Sequence, residues 1–179
     1  MKQTSPVAAD VSELTYRAFI RAYGFFRNVM EPFFLQFGIS GAHWGVLRTL
    51  HRARGEGING LQLNELARRL LIRPPSITSL VDRLERMSLV SRSVAAKDHR
   101  AKLVTLTRRG EKLIDRVLEQ HPAKVHAVLA GLNSQQQREF YDLIQLFSTH
   151  MEGLVNNKPV PEADEFNRES FASPPMFGR

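Results

Sequence analysis

"RPPSIT", residues 73–78, sets two consecutive prolines inside a stretch, Leu63 to Met87, whose apolar spacing otherwise reads as helix. An interior proline removes a backbone donor and clashes with the preceding turn, at a cost of about 3 kcal/mol. At the first turn of a helix it is welcome, because the N–H it lacks has no partner there. The prolines therefore begin a helix. Pro74 also drives Arg73 toward extended backbone, which ends the preceding helix near Leu71-Ile72. Two helices joined by a short turn result, the helix-turn-helix arrangement.

Leu63, Leu66, Ala67 and Leu70 form one face of the first helix, read over Asn64 to Leu71. Ile77, Leu80, Val81 and Leu84 form the inward face of the second, which ends near Met87. After it the period changes to two across "LVSRSVAAKDHRAKLVTLT", a β-hairpin with a long polar tip. Upstream, Val11, Leu14, Ala18, Ala22, Phe25, Val29 and Phe33 step by three or four, an amphipathic helix kinked or split at Pro32. Ser40 caps a further helix that buries Trp44, Leu47 and Leu50, and the glycine-rich "RGEGING" stops it. Downstream, Thr107 caps a long helix interrupted by Pro122. Ser134 and Gln137 form the capping box of a last one, which carries Phe140, Leu143, Ile144, Phe147, Met151 and Leu154.

The fold class is mainly α (α+β). Residues 1–9 read as a flexible arm, 10–38 as an N-terminal helix, 39–109 as a winged helix-turn-helix domain, 110–156 as C-terminal helices and 157–179 as a disordered tail rich in Pro, Glu, Asn and Ser. The flanking helices carry Phe19, Phe25, Phe26, Phe33, Phe140 and Phe147, more apolar surface than so small a domain covers by itself, which predicts a homodimer.

The chain has 179 residues and a formal net charge of +7. From Leu61 to Lys112 there are 12 Lys and Arg against 5 acids, so this segment holds the whole excess. Such asymmetry points to a polyanionic partner, against the blander reading of a solvated basic face. There is no cysteine, which excludes disulfides, thiol sensing and Cys-ligated zinc. Neither a signal peptide nor an apolar run of membrane-spanning length is present, so a cytoplasmic protein with no membrane partner is expected. No G-x-S-x-G, phosphate loop or H-E-x-x-H occurs. The six histidines offer no pair at metal spacing except His121 and His126, which are five apart and so on diverging helical faces, and neither enzyme activity, a metal nor a cofactor is expected.

Ser76, Thr78 and Ser79 fall on the exposed start of the second motif helix, with Arg83 one turn later. A recognition helix needs short polar side chains against base edges and cations beyond them for phosphate. The alternative, that the three are only N-terminal capping residues, stays open. In the hairpin Arg92, Lys97, His99, Arg100 and Lys102 cluster near the turn, placed to set one cation in a minor groove. Asp98 is read as bracing Arg100, the alternative being an incidental exposed pair.

"LNELARRL…PPSITSLVDRLERMSLVSR…KDHRAKLVTLTRRG" resembles the MarR family of bacterial winged-helix transcription regulators, over roughly Ile39 to Leu154. The resemblance implies a homodimer, joined through the N-terminal helix and the last two, on double-stranded DNA with a pseudo-palindromic operator. It differs at Gln62, where the family caps with Thr or Ser and the cap passes here to Asn64. It differs again at Ser88, where a glycine is common. His99 takes the middle place of an Asp-Arg-Arg wing, leaving open whether His99 or Arg100 enters the minor groove.

The expected function is sequence-specific regulation of transcription, a repressor released by a small aromatic or phenolic ligand. Arg73, Arg83 and Lys102 would hold phosphates. Phe19, Tyr23, His43 and Trp44 are the candidates for lining a ligand pocket, set against a plain core role for Trp44 and the phenylalanines. The competing reading is a winged-helix dimer that acts through protein contacts without specific DNA readout.

Overall fold

The computed structural model describes residues 10–95 and 98–156, with the side chains of 94–101 excepted. Lys97 lies outside the described residues, as do the side chains of Asp98, His99 and Arg100 and the segments 1–9 and 157–179. Two compact units are described, one reaching Val128 and one starting at Leu129.

In the first unit, α1 (Val11–Leu35) begins where the Asp10 carboxylate accepts the Ser12 N–H at 3.0 Å. It is one helix through Pro32, where a kink or split was expected. Burial of the adjacent Phe33 and Phe34 offsets the missing amide donor one turn from the helix end. In α2 (Gly41–Gly55) Ser40 caps as expected, and His43 completes a capping box by accepting the Ser40 N–H.

The motif follows as β1 (Leu61–Gln62), α3 (Leu63–Leu70), α4 (Pro74–Arg86), β2 (Val90–Ala95) and β3 (Asp98–Leu106). The strands form an antiparallel sheet in the order β1-β3-β2, with Leu61 opposite Val104 and Val90 opposite Leu106. Strand pairing reaches Ala95 and Asp98, so the long polar tip expected of the hairpin is instead mostly strand. The α3 start has no side-chain cap at Gln62, and Asn64 lies inside the helix. Pairing of Leu61 and Gln62 with β3 fixes that helix start instead.

Pro74 and Pro75 occupy the first two positions of α4, behind an extended Arg73 (φ −69°, ψ 145°). The Ser76 and Ile77 amides both donate to the Arg73 carbonyl. At its other end the Leu89 N–H donates to Leu84 O (2.9 Å) and the Ser88 N–H to Glu85 O (2.8 Å), a helix stop that puts Ser88 in the left-handed region at φ +58°. Glycine takes that conformation without the side-chain clash. Ser88→Gly is therefore expected to stabilise the fold by about 1 kcal/mol and to raise the melting temperature by about 2 to 4 °C in a thermal scan.

Ile77, Val81 and Leu84 of α4 are buried against Leu47 of α2, Leu66 of α3 and Val104 of β3, and Ile114 and Val117 of α5 (Arg108–Leu129) close the core. Each such side chain contributes about 1.5 to 3 kcal/mol through removal from water. Thr107 caps α5 by accepting the Gly110 N–H at 3.0 Å, and α5 continues through Pro122 without interruption.

In the second unit, α6 (Ser134–Val155) is capped one residue earlier than expected. Asn133 accepts the Gln136 N–H, and Gln136 accepts the Asn133 N–H. Gln137 donates instead to the carbonyls of Leu129 and Leu132. None of the residues of α6 is buried, and Phe140, Leu143, Phe147 and Leu154 are exposed. On α1, Phe19, Phe25 and Phe26 are likewise exposed, but Phe33 belongs to the core and leaves the set of surface phenylalanines.

Candidate nucleic-acid interface

Burial of Ile77, Val81 and Leu84 turns the opposite face of α4 to solvent, and Arg73, Ser76, Thr78, Ser79, Arg83 and Arg86 are exposed along it. The Thr78 hydroxyl donates to Pro74 O at 3.1 Å and the Ser79 hydroxyl to Pro75 O at 3.2 Å. Each hydroxyl hydrogen is thus committed to the helix, and the oxygen lone pairs remain to accept. Lys102 is exposed on β3, opposite Val94 of β2.

Arg92 departs from its expected place among the DNA-facing cations. Its guanidinium pairs with Asp82 at 2.5 Å and with Glu85, and its backbone N–H donates to Glu85 at 3.2 Å. Burial alone would lower the Arg92 pKa, but the hydrogen bonds from Asp82 and Glu85 outweigh it and hold the group above its ordinary value. Both carboxylates belong to α4 and Arg92 to β2, so this cluster ties the helix to the hairpin.

Within α3, Glu65 accepts from Arg68 and Arg69, and these hydrogen bonds draw its carboxyl down to about 2. The three side chains neutralise much of the charge that α3 would otherwise present.

The four residues expected around a ligand are not brought together in one chain. Trp44 is core, its ring stacked on Phe34 at 5.7 Å and tilted against His121 at 5.6 Å. Phe19 and Tyr23 are exposed on α1, about 22 and 16 Å along the helix axis from Phe34 at ~1.5 Å per residue. His43 is committed to the cap of α2. Sequence reasoning missed Phe34 and His121 as partners of Trp44. No periodic signal joins α1, α2 and α5 across more than 70 residues of chain; only packing does.

Burial pushes the His43 pKa down, with Arg83 adding to the effect and Glu31 opposing it; burial likewise lowers His51 and His121. A histidine whose folded pKa lies below its unfolded value stabilises the fold above about pH 6.5, and that stability is lost as pH falls through the folded pKa. The melting temperature is therefore expected to drop on acidification below about pH 6.5. His43→Gln keeps an acceptor for the Ser40 N–H and removes one titrating group, so its melting curve should match the parent at pH 7.5 and fall less steeply on acidification. Thermal melts across pH check both. An equal fall in the variant would remove His43 from the account.

Among the described residues, no helix is long and apolar enough to cross a membrane, and no cluster of His, Asp or Glu could hold a metal ion.

Residues 37–101 match the model of the MarR family. The HTH-type transcriptional repressor YetL of Bacillus subtilis is 29% identical over 117 residues, which cover 65% of this chain and 68% of YetL. The MarR family protein Rv2887 of Mycobacterium tuberculosis, solved in complex with DNA, is 27% identical with a TM-score of 0.58, over 77% of this chain and 97% of that one. BpsR of Bordetella bronchiseptica, whose structure concerns regulation of DNA binding by 6-hydroxynicotinic acid, gives a TM-score of 0.66 at 21% identity, over 75% of this chain and 98% of that one. The helix begun by Pro74-Pro75, the hairpin braced to it by Arg92 and the matched segment agree: this chain has a winged helix-turn-helix fold, and its residues 37–101 are similar to those of the MarR family.

Proposed function

We propose that the chain is a dimeric, sequence-specific DNA-binding transcription regulator of the cytoplasm, a repressor released by a small aromatic or phenolic ligand. The observation that carries the reading is the exposed polar start of α4, where Ser76, Thr78 and Ser79 stand between Arg73 and Arg83 on a helix that is braced to a hairpin. In this reading the back-bonded hydroxyls of Thr78 and Ser79 accept from amino groups of adenine or cytosine in the major groove. Arg73, Arg83 and Lys102 hold phosphates, and His99 or Arg100 enters the minor groove, with Lys97 close by.

The exposed apolar faces of α1 and α6 support a homodimer. Two-fold symmetry then calls for a pseudo-palindrome with half-sites about 34 Å apart. Repression is supported by the likeness to YetL, and the ligand class by BpsR, a relative in fold.

Selection of bound fragments from random duplex DNA at two salt concentrations tests this. One pseudo-palindrome should be recovered, with affinity falling about 10³- to 10⁵-fold between ~50 and ~200 mM salt if some six to ten phosphates are neutralised. Enrichment of no motif at either salt would replace the proposal with a winged-helix dimer that works through protein contacts.

A further inference from the structure

The first two and a half turns of α5 carry a charge that the DNA-facing elements do not use. Arg108, Lys112 and Arg116 repeat at four-residue spacing beside Arg109, and all four line a cavity of about 660 Å³. No acidic side chain lines it. Among the described residues none of the four takes part in an ion pair. Its other walls are apolar: Phe37 after α1, Met87 and Leu89 at the turn between α4 and β2, and Leu113. The Arg116 guanidinium already sits 5.9 Å from the centre of the Phe37 ring.

This cavity lies away from the groove-reading ends. It adjoins the C-terminal end of α4, about 20 Å from Pro74 at ~1.5 Å per residue over 13 residues. It also adjoins the base of β2, about 20 Å from Ala95 at ~3.3 Å per residue over six. Four like charges along one helix repel one another, and a partner that offsets them has to bring several negative charges to one place. A monocarboxylate brings one. A polyphosphate brings three or four, and guanidinium groups bind phosphate oxygens in pairs. The volume also suits a small organic molecule, and the apolar walls suit a flat ring.

We propose that this cavity binds a nucleoside polyphosphate, its phosphates on Arg108, Arg109, Lys112 and Arg116 and its base against Phe37 and Met87. The site adjoins the turn from α4 into β2, where Ser88 holds its left-handed conformation. Occupancy there bears on the angle between recognition helix and hairpin, and so on operator affinity. That last step rests on the function proposed above; binding itself does not.

The test titrates the full chain into a ribose-labelled fluorescent GTP analogue, read by anisotropy, with no DNA present. A saturable rise is expected, displaced by GTP and ATP. Tripolyphosphate, which has no ring, should displace at least tenfold less well, and benzoate at equal concentration should not displace. The double variant Arg109→Gln/Lys112→Gln, changed only at exposed positions, should melt as the parent does and bind the probe at least tenfold more weakly. Arg83→Ala should bind the probe as the parent does, which separates this site from the DNA-binding reading. The proposal is overturned by no saturable rise, by equal binding in the double variant, or by tripolyphosphate or benzoate matching GTP. It is also overturned if random duplex DNA displaces the probe from the parent but not from the double variant's residual sites, since the four cations would then be phosphate contacts for DNA.

Discussion

Gly110→Ala is expected to lose about 3 kcal/mol of folding stability and to melt about 6 to 12 °C below the parent. In most helices the same change adds up to about 1 kcal/mol, because alanine restricts the unfolded chain and glycine does not. Gly110 differs because α5 starts directly over the turn that ends α4. A methyl group built there meets the Leu89 carbonyl oxygen at 2.1 Å and its carbon at 3.1 Å. That neighbour is backbone, and it is fixed on two sides: the Leu89 N–H is held by Leu84 O, and the Leu89 carbonyl accepts the Thr107 N–H at 3.1 Å. No side chain can rotate to make room, so α5 must shift from α4 or break the Thr107 cap. Chemical denaturation checks the value, and a variant as stable as the parent would mean that this contact does not exist in solution.

Arg92→Leu should cost about 1 to 2 kcal/mol of stability and weaken operator binding several-fold without changing its salt dependence. The stability term is discounted because Asp82 and Glu85 are themselves part-exposed and partly screened by water. Losing the guanidinium leaves two carboxylates of α4 unmatched and frees β2 from the helix, so the two elements proposed to meet DNA lose their mutual orientation. Arg83→Ala makes the contrast. Arg83 is exposed on α4, and as a phosphate contact its loss should flatten the slope of log affinity against log salt by about one unit while the melting temperature stays put. Salt titrations of both variants on one operator separate the roles. A flattened slope for Arg92→Leu would return that residue to the phosphate contacts, and an unchanged slope for Arg83→Ala would remove Arg83 from them.

What was legible in the sequence was local. The double proline announces α4, Ser40 and Thr107 announce α2 and α5, and the change of period at Val90 announces the hairpin, because each signal acts within one or two turns of chain. The failures share a cause of the opposite kind. β1 is two residues long and exists only through pairing with Leu103 and Val104, some 40 residues later. Arg92 reads as one more cation until β2 is laid against the Asp82 and Glu85 face of α4. The capping box at α6 slipped by a single residue because Asn133/Gln136 and Ser134/Gln137 satisfy the same pattern, and only the geometry of the turn chooses between them. Pro32 carries a local penalty that burial of the adjacent Phe33 and Phe34 absorbs, which no windowed reading of propensity detects.

The start of α4 has one more property that follows from its two prolines. Most helices begin with four amides that have no intrahelical partner, and such a start attracts phosphate through them. Here the first two amides carry no hydrogen, and the next two, on Ser76 and Ile77, are already bonded to the Arg73 carbonyl. A phosphate that approaches this helix end finds no free amide on the first four residues of α4. If α4 meets DNA as proposed, attraction of the backbone there falls to side chains such as Arg73 and Arg83, which swing on flexible stems, so the grip would adjust to the local path of the duplex instead of imposing one.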